Sequence, residues 1–213
     1  KKKILLGYGA KLVGINHLKR GCSTTETVGK VVDEGRRGGL NYVFLDQFSN
    51  PSNLRAHELT TGPEMVNFAN QVVTSSSDQI VLVGGIGTGA SLTGVGRAIK
   101  SSFPSARVVA VQPHGVDFER GEYSAHEIQG TGVAHPPLMD FSLVDRFVTC
   151  SYDDVLRAQR WLVATQGIFC GLSSAANVHV ARQVEYEFYR SGNTEHRLIV
   201  LMLLYDGGES YLK

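Results

Sequence analysis

One stretch, from Ile80 to Gln112, constrains this chain more than any other: a hydrophobic strand, a glycine-rich turn, a helix and a second hydrophobic strand follow one another. Ile80-Val-Leu-Val83 is a short run rich in β-branched residues, the pattern of a strand buried on both faces of a parallel sheet. The turn Gly84-Gly-Ile-Gly-Thr-Gly-Ala-Ser91 then falls at that strand's carboxyl end, and helical positions begin near Ser91 and run through Lys100. Unpaired N–H groups and the positive end of the helix dipole face the turn, so an anion is its natural occupant.

The residues around the glycines separate three phosphate ligands that use such turns. A nucleoside triphosphate loop needs a lysine and a hydroxyl directly after its last glycine, and here no lysine follows before Lys100. Gly85, Gly87 and Ala90 satisfy the dinucleotide spacing, but that ligand also needs an acid on its ribose at the end of the next strand. Arg107-Val-Val-Ala-Val-Gln-Pro113 ends instead in Gln112 and Pro113. A lone phosphate monoester such as pyridoxal 5′-phosphate (PLP) asks only for a nest of backbone donors and a hydroxyl or two, which Thr88 and Ser91 supply. Taken alone, the turn is equally readable as a glycine-rich connection that binds nothing.

Further motifs bear on this choice. Gln47-Phe-Ser-Asn-Pro-Ser-Asn53, His57, Thr60-Thr-Gly-Pro-Glu64 and Gly87-Thr-Gly-Ala-Ser-Leu-Thr-Gly-Val-Gly96 are followed by Ile128-Gln-Gly-Thr-Gly132, Gly167-Ile-Phe-Cys-Gly-Leu-Ser-Ser174 and Asp206-Gly-Gly-Glu-Ser-Tyr-Leu212. In order and spacing this set resembles the cysteine synthase and cystathionine β-synthase group of PLP enzymes, over nearly the whole chain. The resemblance implies an α/β fold with a mostly parallel sheet flanked by helices, the fold-type-II architecture of the tryptophan synthase β kind, incomplete at its N-terminus. Residues 1–45 are then expected to be a remnant of a smaller lobe, and 46–213 the larger lobe with the phosphate turn. PLP is the implied cofactor, and the implied reaction is β-replacement on an activated serine in amino-acid biosynthesis, carried out by a homodimer. On the family pattern Gly87, Thr88, Gly89, Ala90 and Ser91 hold the phosphate, Gly130 flanks the cofactor, Gly207 faces its ring nitrogen, and Gln47 and Phe48 border the substrate. The bland readings are that Gln47 caps a strand and Phe48 fills the core.

The resemblance also exposes departures. The family's cofactor-holding lysine belongs upstream of Lys1, as does its substrate-carboxylate loop, and none of Lys1, Lys2, Lys3, Lys11, Lys19, Lys30, Lys100 or Lys213 lies in the family's lysine motif. The chain is therefore expected to be the last two-thirds of a subunit, inactive alone and holding no catalytic residue. Gly207 stands where the family usually has a serine, with Asp206 as a substitute only if its carboxylate turns toward the ring, and Ala90 and Ala175 stand where glycine is usual. A methyl at Ala90 is expected to crowd the ligand or force a positive φ. These changes motivate a second reading, a degenerate relative that has lost PLP and serves as a structural or interaction subunit of a larger assembly.

Composition narrows the partners. A net charge of +1 offers no electrostatic handle for nucleic acid, and no run approaches the roughly 20 apolar residues that a membrane span requires. The basic run Lys1 to Lys3 leads into Ile4-Leu-Leu6 and reads as the solvated end of a helix. Cys22, Cys150 and Cys170 are odd in number and far apart, which suits reduced thiols and an intracellular setting, cytoplasmic or organellar (mitochondrion or plastid). The seven histidines are scattered with no metal-ligand spacing. Gly171-Leu-Ser-Ser-Ala175 approaches the hydrolase elbow, but His179 and His196 lack the preceding strand-end acid, so Ser173 or Ser174 is better read as a helix N-cap.

The remaining elements follow from periodicity and punctuation. Helices are expected over Lys3–Tyr8 (stopped by Gly9), Thr24–Glu34, Pro63–Thr74, from Ser151 to Thr165 behind a capping-box-like Ser151 and Asp154, and Ser174–Tyr189. Strands are expected over Lys11–Ile15, Tyr42–Leu45, Ile80–Val83, Arg107–Gln112, Leu143–Thr149 and Arg197–Leu204, the last wholly apolar and expected to be central. Phe118 to Pro137 reads as an irregular active-site loop. In such a sheet, sites lie outside the carboxyl ends of the strands, where Gly87, Gln112, Gly130 and Gly207 all fall.

Overall fold

The computed structural model describes residues 2–19, 24–192 and 196–211, and the chain divides into two compact units, Lys1–Asp46 and Gln47–Lys213. The first unit holds three helices, α1 (Lys2–Gly7), α2 (Ile15–Lys19) and α3 (Thr24–Arg37). Gly9, at φ +81°, ends α1 with N–H groups of Gly9 and Ala10 turned back to the Leu6 and Leu5 carbonyls. Two expected strands do not form here. Residues 11–14 are irregular, with Gly14 at φ +75°, and α2 begins at Ile15. Tyr42–Leu45 is likewise irregular, with Val43 and Leu45 78% and 75% exposed. An apolar run becomes a strand only against a neighbour's N–H and C=O groups, and this unit has no strand among its described residues.

In the second unit a parallel sheet is built from β1 (Gln79–Gly85), β2 (Arg107–Pro113), β5 (Arg146–Cys150) and β6 (Leu198–Met202), in the order β5-β2-β1-β6. Strands β3 (Val116–Asp117) and β4 (Glu122–Tyr123) form a small antiparallel hairpin, its second strand inside the segment expected to be irregular. Before β1 come α4 (Pro51–Ala56), a π-helical turn (His57–Thr61) and α5 (Gly62–Val72); α6 (Ala90–Ser102) links β1 to β2, and α7 (Tyr152–Gln166) and α8 (Leu172–Arg190) link β5 to β6. A 3₁₀ turn over Phe141–Leu143 takes up the first residue of the strand expected over Leu143–Thr149.

Side-chain alternation along the strands sorts the core into two layers. Val81 and Val83 of β1 with Val109 and Val111 of β2 pack against Val155 and Leu162 of α7 and Val178 and Val180 of α8. Ile80, Leu82, Val108 and Ala110 face the other way, onto Val95 and Ile99 of α6 and Ala69 of α5. Burial on both faces is why β1 and β2 read as continuous apolar runs. The same reason corrects the reading of β6. It is apolar because α5 and α8 cover its two faces, yet it lies at the edge of this sheet, paired with β1 alone.

The capping box of α7 is present in full: Ser151 Oγ accepts from the Asp154 N–H at 3.2 Å, and Asp154 Oδ2 accepts from the Ser151 N–H at 3.0 Å. Cys150 and Cys170 are buried free thiols, burial pushing Cys150 up to about 12, while Cys22 lies outside the described residues. Among the described residues no helix is long and apolar enough to cross a membrane, and no His, Cys, Asp and Glu side chains cluster to hold a metal ion.

Candidate active site

The phosphate turn joins the carboxyl end of β1 to the first residue of α6, and two neighbouring segments hold it. The Ile86 carbonyl accepts from the Gly132 N–H at 2.8 Å and from Thr131 Oγ1 at 3.2 Å, and the Thr88 carbonyl accepts from the Leu138 N–H at 3.2 Å. A side chain at Gly87 would place its Cβ 2.9 Å from the Gly130 carbonyl oxygen, and one at Gly89, where φ is +89°, would meet Met139 Cβ at 2.5 Å. Only glycine fits either place. Thr88 Oγ1 accepts from the Ala90 N–H at 3.3 Å and from Asn53 Nδ2 at 3.4 Å. The expectation of strain at Ala90 is not met: it is the first residue of α6, 1% exposed, and absent from the positive-φ residues. Ala175 is packed wholly inside the core on α8.

Asn53 also brings the Gln47–Phe48 segment to the turn, donating to the Gln47 carbonyl at 2.7 Å. Phe48 is 38% exposed, which removes the core-filling reading. Asn50 caps α4, its side chain accepting from the Ser52 N–H at 3.0 Å. The π-helical turn that follows sits close against α6: a Cβ at Gly94 would lie 2.7 Å from His57 Cβ, and one at Gly62 would lie 2.7 Å from Ala98 Cβ. Burial lowers the His57 pKa.

Opposite the turn, the amino-terminal end of α8 brings a buried polar group into the same crevice. Thr131, Ser173, Ser174 and Asn177 are all under 5% exposed. The α8 N-cap is Gly171, so both serines lie inside the first helical turn rather than at the cap. Ser174 Oγ accepts from the Tyr205 N–H at 2.8 Å, and Ser173 lies against Gly130, whose φ is +92°. These roles leave neither serine as an exposed nucleophile. Asn177 Nδ2 donates to the Leu203 carbonyl at 3.0 Å, while its Oδ1 has no partner among the described residues. Gln112, where a dinucleotide site needs an acid, is committed structurally: it donates to Thr149 Oγ1 at 3.1 Å and accepts from the Phe118 N–H at 3.2 Å.

Gly207 pairs with Cys170 in an isolated bridge, and the N–H groups of Gly171 and Gly208 donate to the Asp206 and Phe169 carbonyls at 2.9 and 3.1 Å. Asp206 does not turn along the Gly207 side-chain direction. Its Oδ2 accepts from the Tyr211 hydroxyl at 2.7 Å, and its carboxylate lies against Gly171. The group that a Cβ on Gly207 would meet is the carboxylate of Glu209. Gly87 to Ser91 and Gly130 thus lie together, with Asn53 at Thr88 and Asn177 beside Gly85, and Gly207 closes the bridge that leads into α8. Sequence reasoning overlooked Asn53, Asn177, Tyr205 and Glu209; the nearest signal was that Asn53 ends the Gln-Phe-Ser-Asn-Pro-Ser-Asn motif.

A parallel α/β sheet with a glycine-shaped turn at one strand's carboxyl end is the arrangement in which α/β proteins commonly hold phosphate-bearing ligands. The model of the pyridoxal-phosphate dependent enzyme family matches residues 1–203, and the chain belongs to that family, with PLP as the family's cofactor. It is 30% identical to a cysteine synthase of Staphylococcus aureus over 215 aligned positions, covering 100% of this chain and 64% of the relative. A Haemophilus influenzae cysteine synthase is 36% identical over 193 positions, covering 85% of this chain and 57% of the relative. Among solved structures, an O-ureido-L-serine synthase superposes with a TM-score of 0.78 at 32% identity, covering 100% of this chain and 63% of that one. An O-acetylserine dependent cystathionine β-synthase of Helicobacter pylori superposes at 0.70 with 28% identity, covering 87% and 57%. The fold is that of the fold-type-II PLP enzymes, and the chain spans less than two-thirds of the length of these relatives.

Proposed function

We propose that this chain carries the cofactor lobe of an enzyme performing PLP-dependent β-replacement on an activated serine, with residues 46–213 as the larger lobe and residues 1–45 as part of the smaller one. The observation that carries the reading is the turn Gly87–Ser91, which Gly130 and Met139 close to any side chain while α6 presents its free N–H groups. The turn contains no acid, and its donors are backbone N–H groups with the Thr88 and Ser91 hydroxyls, a set that fits a phosphate monoester.

When bound, PLP supplies an electron sink for carbanion chemistry at a substrate's α-carbon. The chain's contribution is to hold and orient. Gly87, Thr88, Gly89, Ala90 and Ser91 would hold the phosphate, and Gly130 would flank the ring. Asn53 ties Thr88 to the Gln47 carbonyl, so the segment carrying Gln47 and Phe48 is positioned by the same turn and would border the substrate. At Gly207 the chain presents the Glu209 carboxylate, an acceptor only, where the resemblance places a serine hydroxyl. The resemblance also supports a homodimer.

Gly207 and its neighbouring carboxylate favour one alternative, a relative that keeps the fold and has lost the cofactor. The test is mass spectrometry of the purified gene product after incubation with PLP and borohydride reduction. A phosphopyridoxyl adduct on a single lysine is expected. A folded protein with no adduct would establish the alternative and turn the search toward partners in a larger assembly.

A further inference from the structure

Thr93, at the end of the first turn of α6, is 0% exposed and carries a hydroxyl to which the proposed function gives no part. Its main chain follows helical spacing: four residues after Gly89, its N–H donates to the Gly89 carbonyl at 3.0 Å and closes the first helical bond beyond the phosphate turn. Its side chain leaves the helix altogether. Thr93 Oγ1 accepts from the Asp140 N–H at 2.9 Å and donates to Met139 Sδ at 3.6 Å. The hydroxyl's one proton and one of its lone pairs are thus committed to two consecutive residues of a segment more than 40 positions away.

That segment walls the phosphate turn. The Leu138 N–H donates to the Thr88 carbonyl, and Met139 occupies the space into which a side chain on Gly89 would point. Thr93 therefore holds Gly89 twice over: its main chain bonds the glycine's carbonyl, and its side chain fixes Met139, the residue against which the glycine packs. One helical turn further on, Arg97 Nη2 donates to Asp140 Oδ2 at 3.1 Å, and its Nη1 donates to Glu58 Oε1 at 2.6 Å. Burial decides which anchor matters more. The Arg97 and Asp140 side chains are 45% and 30% exposed, so solvent screens their pairing. Thr93 is shielded from water, and loss of its oxygen would leave the Asp140 N–H without its acceptor.

We infer that Thr93 is a positioning residue of the phosphate site: its hydroxyl holds Leu138–Asp140 as a strap against Thr88 and Gly89, and so keeps the turn's N–H groups converged on the anion. The inference rests on the proposed PLP site. It gives α6 a second part there, since the helix that presents its N–H groups to the phosphate also ties down the wall of the turn. Valine has the shape of threonine without the hydroxyl, whereas serine keeps the hydroxyl without the methyl, so the two substitutions separate the hydrogen bond from the packing.

The test is titration calorimetry of the purified protein and its Thr93→Val and Thr93→Ser variants, with inorganic phosphate and PLP as separate probes and chemical denaturation run alongside. Thr93→Val is expected to weaken both probes by about tenfold, while Thr93→Ser stays within about twofold of the wild type. A hydroxyl with a structural role alone would lower the denaturation midpoint of Thr93→Val and leave both affinities unchanged. Should Thr93→Val misfold, the wild type alone decides, because coupling between strap and anion is reciprocal: amide hydrogen exchange at Leu138 and Asp140 is expected to slow by about tenfold at phosphate saturation. Wild-type affinity in a folded Thr93→Val, equal weakening in Thr93→Ser, or exchange at Leu138 and Asp140 unmoved at saturation would overturn the inference while leaving the phosphate site standing. No binding of either probe by the wild type would overturn both.

Discussion

At the head of α6 the crevice is shaped by main chain, whereas at Gly207 it is shaped by side-chain carboxylates. Gly87 and Gly89 are pinned by the backbone of Gly130 and by Met139, so the anion turn keeps its form whatever nearby side chains do. Gly207 stands beside Glu209 and next to the Asp206–Tyr211 pair, groups that can rotate. The difference teaches which features of such a site survive substitution. Backbone donors are conferred by the fold, while a ring partner depends on one side chain and is the easier to exchange.

Four substitutions probe this contrast, in order of falling effect. Gly89→Ala combines a left-handed backbone with a clash against Met139, and is expected to cost about 3 kcal/mol in chemical denaturation and to abolish phosphate binding. Retention of wild-type stability would show that the turn is not backbone-locked. Asn177→Ala leaves the Leu203 carbonyl without its partner and is expected to cost about 2 kcal/mol, measured the same way. Gly207→Ser meets only the mobile end of Glu209, so stability is expected to stay within about 0.5 kcal/mol while PLP retention in dialysis improves. Unchanged retention would count against a cofactor at this end. Tyr211→Phe gives the smallest effect, read from the alkaline part of the stability profile. Burial and then Asp206 push Tyr211 from its ordinary 10.0 to about 12, so the stability it lends is complete below pH 10 and declines as pH rises to about 12. The variant is expected to flatten that stretch of the stability profile.

The sheet was legible because its strands are buried on both faces: β1 and β2 announce themselves as uninterrupted apolar runs, and β6 does so even from the edge. The same signal misled at Lys11–Ile15 and Tyr42–Leu45, where apolar residues have no strand to pair with in their unit. The phosphate turn was legible because its glycines answer a local demand, positive φ at Gly89 and close approach at Gly87. Asn53, Asn177 and Tyr205 were not. Each is a single polar residue whose partner lies 26 to 35 positions away, Thr88 for Asn53, Leu203 for Asn177 and Ser174 for Tyr205, and no periodicity encodes such a meeting. Ala90 shows the converse error: its methyl looked obstructive on the family pattern, but the first position of a helix accepts alanine without strain.

The central claim, that the turn Gly87–Ser91 holds the phosphate of PLP, is tested most directly by ³¹P NMR of the purified protein mixed with PLP, with Gly89→Ala as the control. A shifted and broadened bound-phosphate resonance is expected for the wild type and a free one for the variant. A free resonance in the wild type, or a bound one of equal strength in a folded variant, would contradict the account.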